Sequence, residues 1–334
     1  SFNTAVGFQS GAAVTTGVSN TLIGALAGDA ITTGNNNIAI GYQALTTNIL
    51  SDKNVALGNY ALASHTQGSS IDSYNVGVGF EAGLLLTTGL ENTIIGGAAG
   101  DALTDADFNV AVGTYALTTD TLGSKSTAIG AAALNKQNFT SATDSFNTAV
   151  GFSAGKEVTT GIYNTLIGGL AGDALTDADN NVAVGRAALS TDTLGSCSVA
   201  IGRNALVTQN FTSATDSFNV AVGDRAGAAV TTGTLNTLIG GLAGDAITTG
   251  NSNVAVGYQT LSADTLGDRN VAIGLQALMS QNFTSSTDSY NTAVGYAAGL
   301  SVTTGQVNTL VGGLSGDALT TGGENTAIGY KTLS

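Results

Sequence analysis

The feature that constrains this chain most is a repeat that runs from end to end. A pattern built on Asn-(Thr/Val)-(Ala/Leu)-(Val/Ile)-Gly recurs nineteen times, with its glycines at Gly7, Gly24, Gly41, Gly58, Gly79, Gly96, Gly113, Gly130, Gly151, Gly168, Gly185, Gly202, Gly223, Gly240, Gly257, Gly274, Gly295, Gly312 and Gly329. The intervals run 17, 17, 17, 21 and then begin again, so the true repeat is a superrepeat of four coils, as from Gly7 to Gly79. Segments one superrepeat apart are nearly the same: Gln137–Asn147 and Gln209–Asn219 both read QNFTSATDSFN. Self-similarity at a fixed period marks an array in which each repeat packs on the next. It overrides the two or three domains that 334 residues would otherwise suggest. The expectation is one continuous repeat region over residues 1–334, a segment of a longer array that begins and stops within a superrepeat.

The composition of each coil points to β-structure. The residue before every repeat glycine is Val, Ile or Leu, and two residues earlier stands Thr, Val or Ile. Positions two apart share one face of a strand, and β-branched side chains favour strands over helices. These flanking residues are therefore expected to form a buried wall. The residue between them is Ala or Gly except in the second coil of each superrepeat, which carries Leu22, Ile94, Leu166, Leu238 or Leu310. It is expected to face away from that core. A small apolar back predicts that something packs there too, since a strand back facing only water would carry polar residues. A second wall follows three residues after the glycine, where Ala stands in fifteen coils and Ser or Thr in four. A further apolar position, such as Val14, Ile31, Leu122 or Phe139, closes the coil before Gly, Asn, Asp and Ser turns. The fold class is thus all-β, a parallel β-solenoid. Coils stacked at about 4.8 Å would put equivalent positions of successive superrepeats about 19 Å apart, in a rod about 90 Å long.

Charge and composition narrow the function classes. Only 10% of residues are charged but 43% are apolar, which argues against disorder. Glycine is frequent at 47 residues, without the Gly-X-Y period of collagen. No apolar run reaches the roughly 18 residues of a membrane span, and no basic-then-apolar leader opens the chain. A net charge of −14 disfavours nucleic acid and anionic lipid, so neither a nucleic-acid partner nor membrane insertion is expected.

Individual residues give weaker signals. Asp29, Asp101, Asp173, Asp245 and Asp317 recur at one position of the second coil, which suggests a calcium ladder. Members about 19 Å apart cannot share an ion whose ligands lie about 2.4 Å away, and turn capping explains them better. The Thr-Thr-Gly turns, as at Thr15–Gly17, invite an ice-binding reading, but adjacent threonines on a strand face opposite ways. Phe2, Tyr74, Phe146, Phe218 and Tyr290 precede the first-coil Asn, and Phe139, Phe211 and Phe283 sit in the long fourth coil. They suit sugar stacking or, the preferred expectation, plugging of the four-residue bulge. That bulge is expected as a polar knob over Asn138–Ser145, Asn210–Ser217 and Asn282–Ser289, the edge best suited to lateral contact. The Asn-Phe-Thr triplets at Asn138, Asn210 and Asn282 match a glycosylation sequon. The sole histidine, His65, and sole cysteine, Cys197, recur in no other superrepeat and have no nucleophile motif around them. No catalytic, cofactor or metal site is expected, and the chain reads as a structural protein rather than an enzyme.

The repeats themselves, such as NTAVGFQSG at Asn3–Gly11 and NVAVGYQTL at Asn253–Leu261, resemble the repeat region of bacteriophage tail fibres and the related head repeats of trimeric autotransporter adhesins. The resemblance covers the whole chain. It implies a left-handed parallel β-roll, three chains side by side as a homotrimer, and attachment to a cell surface through a receptor, a glycan among the candidates. The adhesin head repeat is shorter than the coil found here, and the 17-17-17-21 spacing with its TTG turns looks more like the phage group. The expectation is a structural shaft of a trimeric tail fibre, on the virion tail, joined to the rest of the fibre. The alternatives are a bacterial trimeric adhesin on the extracellular surface and a monomeric ice-binding solenoid.

Overall fold

The computed structural model describes residues 2–334, and among these there is no helix. They fall into two compact units, Ser1–Asn164 and Thr165–Ser334. Each unit is a parallel β-solenoid, with about nineteen turns in all. The first unit carries main strands of three residues from Thr4–Val6 to Thr148–Val150, and the second carries them from Thr165–Ile167 to Thr326–Ile328. Within each unit the main strands pair with the strand one coil on, without slippage: Thr4 lies opposite Thr21 in the first unit, and Thr165 opposite Val182 in the second.

The strand faces are the reverse of the expectation. In Thr165–Ile167 the middle residue Leu166 is fully buried, Thr165 is half-buried, and Ile167 is 38% exposed. The same holds along the stack: Ala183, Ala200, Leu238 and Ala272 are buried between partly open Val, Thr and Ile flanks. The reason is thickness. So short a coil closes so tightly that its inner walls hold little beyond Ala and one larger side chain. The second wall lies where it was expected, with Ala27, Ala44, Ala99 and Ala171 fully buried.

Volume inside each coil is balanced between two positions. Gly28 allows Leu22 and Ile31 to meet beneath it, since a Cβ there would come within 2.8 Å of both side chains. Coils with Leu at that position (Leu45, Leu117, Leu189) place Asn48, Asp120 and Asp192 where the others have Ile31 or Leu103. A core this full tolerates neither two large residues nor two small ones.

Two ladders hold the coils in register. Each repeat glycine turns a corner at positive φ, 133° at Gly240, and a Cβ there would stand 2.4 Å from the Gly257 carbonyl oxygen. Only glycine fits such an approach. Beside it runs a buried asparagine spine. Asn37 N–H donates to Asn20 Oδ1 at 2.9 Å, while Asn20 Nδ2 donates to the Gly34 carbonyl at 2.8 Å. The contact recurs in the second unit, where Asn236 N–H donates to Asn219 Oδ1 and Asn236 Nδ2 to the Gly250 carbonyl. Each amide thus satisfies a turn and the next coil at once, which is what burial of a polar side chain demands.

Candidate functional site

The long fourth coil builds the most elaborate surface. Its extra residues form a second short ladder, in which Gly123–Ser124 pairs with Thr143–Asp144, Gly195–Ser196 with Thr215–Asp216, and Gly267–Asp268 with Thr287–Asp288. This brings an aspartate beside the residue that follows the first member of the pair. Lys125 Nζ lies 2.5 Å from Asp144 Oδ2 and 5.2 Å from the Phe146 ring centroid. Lys53 reaches Asp72 at 2.6 Å and the Tyr74 hydroxyl at 2.9 Å, with its ammonium over the Tyr74 ring. Arg269 pairs with Asp288 and donates to the Tyr290 hydroxyl at 3.0 Å. Cation, carboxylate and aromatic ring thus recur at the long coil of the first, second and fourth superrepeats. In the third, Cys197 replaces the cation, with Sγ 3.7 Å from Asp216 Oδ1.

The electrostatics follow from the pairing. The Lys53 ammonium holds the Asp72 carboxyl below its usual range, and Asp72 in turn raises Lys53. Burial, then the Asp216 charge, pushes the Cys197 thiol up, which makes it a poor nucleophile at neutral pH. Both the cation and the ring sit on left-handed backbone: φ is 62° at Lys125 and 50° at Phe146. That conformation costs a non-glycine residue about 1 kcal/mol. The backbone bonds of the stack offset it, such as Lys125 N–H to the Asp107 carbonyl at 3.0 Å.

Beneath this surface lies a buried polar network. The Asp120 carboxylate accepts from Gly123 N–H, Phe139 N–H and Gln137 Nε2 at 3.1, 3.0 and 2.6 Å. Gln137 also donates to Ser126 Oγ and accepts from Asn147 Nδ2. The set returns as Asp192, Gln209 and Ser198. Ser126 and Ser198 are the two breaks in the asparagine spine, and the glutamines repair them. In the fourth superrepeat burial raises the Asp264 carboxyl.

The two aromatic sets separate. Phe139, Phe211 and Phe283 are buried plugs, as expected, and the loop beyond each stands out as a polar knob, with Thr140, Ser141 and Ala142 exposed. Phe146, Phe218, Tyr74 and Tyr290 do not plug anything: they are about half exposed, and Phe146 stacks on Tyr163 with ring centroids 5.6 Å apart. In the aspartate ladder, Asp29 Oδ1 accepts from Thr46 Oγ at 2.5 Å and Asp101 accepts from Thr118, each across one coil. Asp245 and Asp317 each keep one buried oxygen without a hydrogen bond, and burial raises the Asp245 carboxyl. The first threonine of several TTG turns is structural: Thr15 Oγ donates to the Thr32 carbonyl, and Thr231 Oγ to the Thr248 carbonyl. His65 is buried, with neither ring nitrogen bonded, and burial pushes its imidazole down to about 4. Among the described residues no group of three or more His, Cys, Asp or Glu could hold a metal ion.

The asparagine spine and the cation–carboxylate–ring nodes were not foreseen from the sequence. The signal for the first was an Asn that breaks only at Ser126 and Ser198; for the second, Lys53, Lys125 and Arg269 at one position of their superrepeats. The sequence matches no protein-family model and no curated protein.

Proposed function

We propose that the chain is a structural shaft segment of a trimeric, phage-type tail fibre, a left-handed β-roll that carries host attachment through rigidity and reach. The observation that supports this most is, in each unit, a column of large aliphatic residues left open to solvent. Leu57, Ile95 and Ile129 in the first unit, and Ile167, Ile201, Ile239 and Ile273 in the second, are each between 37% and 44% exposed. They occupy one equivalent position of their coils, just before the corner glycine. Exposed Leu or Ile on alternate coils, with a half-buried Val between them, marks a contact surface within each unit rather than a finished exterior. Packing of three copies along this row supplies the burial that the thin interior lacks. The resemblance of the NTAVG-type repeats to tail-fibre and adhesin repeats points the same way.

Sedimentation equilibrium should give three times the mass of the 32.8 kDa chain. A monodisperse monomer at micromolar concentration overturns the proposal. Ile167→Asp with Ile239→Asp should dissociate the trimer while leaving the β-sheet circular dichroism of each chain intact, because both side chains face outward.

A further inference from the structure

We propose that Arg186, Arg203, Asp224, Arg225 and Tyr258 form a binding site for an anionic saccharide, a sugar chain bearing carboxylate or sulfate groups. This names a receptor class for the attachment role above and rests on that reading for its biological sense.

Four of the residues occupy one column, and Arg225 adjoins it as the neighbour of Asp224. Asn204 N–H bonds to the Arg186 carbonyl at 3.0 Å, Arg225 N–H to Arg203 at 2.9 Å, Leu242 N–H to Asp224 at 2.9 Å, and Gln259 N–H to Gly241 at 3.0 Å. Arg186, Arg203, Asp224, Gly241 and Tyr258 therefore stand on successive rungs, about 4.8 Å apart. Elsewhere this position is mostly apolar or neutral: Tyr42, Asn59 and Phe80 near the start of the chain, Thr114, Ala131 and Phe152 further on, Leu275 and Tyr296 towards its end. Only here are three consecutive rungs charged together. The chain has nine basic residues against a net charge of −14, and this patch gathers three of them.

Its charges do not cancel. Arg203 grips Asp224 with both arms, Nε to Oδ1 at 2.7 Å and Nη2 to Oδ2 at 2.9 Å. Arg225 Nε lies 3.8 Å from the same carboxylate, and among the described residues Arg186 has no ion pair. The patch thus sets three exposed guanidiniums against two carboxylates, Asp224 between Arg203 and Arg225, and Asp245, which also feels the Arg225 charge. A guanidinium fork matches the planar oxygens of a carboxylate or sulfate. Arg203 holds the Asp224 carboxyl below its usual range, so it stays an acceptor for sugar hydroxyls.

The apolar part lies at the next rungs. A Cβ on Gly241 would come 3.4 Å from Tyr258 Cδ2, so the half-exposed Tyr258 ring leans over this glycine toward Asp224. A ring face beside a carboxylate and two forks offers stacking, hydroxyl binding and charge recognition within about 19 Å. On the far side of Arg186, a Cβ at Gly169 would meet nothing within 4 Å, which leaves the approach open. The acidic remainder of the chain repels long, densely charged polymers such as nucleic acid, while a sugar chain with sparse charges fits a short basic patch.

The test is calorimetry on the intact chain at low salt with an oligogalacturonate, a sulfated dextran oligomer and neutral dextran. At least one anionic oligomer should bind and neutral dextran should not; the tighter of the two assigns carboxylate or sulfate. Arg186→Gln with Arg203→Gln should weaken binding at least tenfold, and Tyr258→Ala several-fold, while Lys136→Gln leaves it unchanged. Binding by neither oligomer, or equal binding by the double arginine variant, overturns the proposal. So does an unchanged Tyr258→Ala with tripolyphosphate binding equally well, which would reduce the patch to bare charge. The mass of each variant is measured in parallel. A double arginine variant that changes oligomeric state assigns the arginines to contact between copies and overturns the saccharide site. A monomer that still binds sugar through these residues keeps the site and overturns only the trimeric shaft.

Discussion

The long coil of the first superrepeat and that of the second share a register but not an interior. In the second, Asp120, Gln137, Ser126 and Asn147 form a closed polar network, and Phe139 plugs the bulge. In the first, the same positions hold Asn48, His65, Asn54, Asn75 and Gln67. Asn48 bonds Ser51 Oγ and N–H, and Asn54 reaches Ser51 Oγ at 3.3 Å. Yet both His65 ring nitrogens and Ser73 Oγ stay buried and unbonded. Gln67 turns outward and donates to the Thr88 carbonyl at 2.7 Å in place of a buried ring. Backbone stacking therefore tolerates two quite different fillings. The difference falls on local stability, because a buried polar atom without a partner costs about 1–3 kcal/mol.

The largest contrast should come from the plug. Phe139→Ala should destabilise its coil by about 3–5 kcal/mol, whereas Gln67→Ala should cost under about 0.5 kcal/mol. Hydrogen exchange at amides of each coil reads the two separately, since a repeat array opens locally. Equal protection in both variants would erase the distinction between the coils.

A pH titration sharpens it further. Burial lowers His65 from 6.5 to about 4, so the folded coil resists a proton that the unfolded chain accepts. Stability is full above about pH 6.5 and falls as pH drops toward 4, by about 3 kcal/mol in total. The Ser51–Asn75 coil should lose exchange protection over that window while the Gly123–Asn147 coil keeps its own. His65→Gln should abolish the loss.

The smallest effect belongs to the surface nodes. Lys53→Ala and Lys125→Ala remove exposed ion pairs, which contribute little in water. Neither should shift exchange in the coil beneath. A clear loss at Lys125 alone would mean that the second superrepeat's node, with its stacked Phe146 and Tyr163, is integral to the coil's support.

These coils also show what a sequence like this makes legible. Spacing located every turn, because a corner glycine cannot drift without colliding with the next carbonyl, as at Gly240 and Gly257. It did not tell inside from outside. Period two assigns Thr165 and Ile167 to one face and Leu166 to the other, but it cannot say which face is buried. β-Branching suggested Ile167; the narrow interior selects Leu166 and Ala183 instead. The same narrowness hid the asparagine spine, since a polar residue in a glycine-rich turn looks like ordinary turn chemistry until its amide is seen spanning two coils. The nodes were hidden for another reason: Lys125 and Asp144 lie far apart in the chain and meet only at a ladder that exists where the coil is long.

The direction of the hydrogen bonds has a mechanical consequence. Bonds such as Gly240 N–H to the Val222 carbonyl, at 2.7 Å, join one coil to the next and so point along the stack. Sideways bending or compression spreads over many of them and over the packed walls. A pull along the stack meets them head-on at a single rung, where they open coil by coil like a zip. Within each unit the solenoid is therefore a strut before it is a rope.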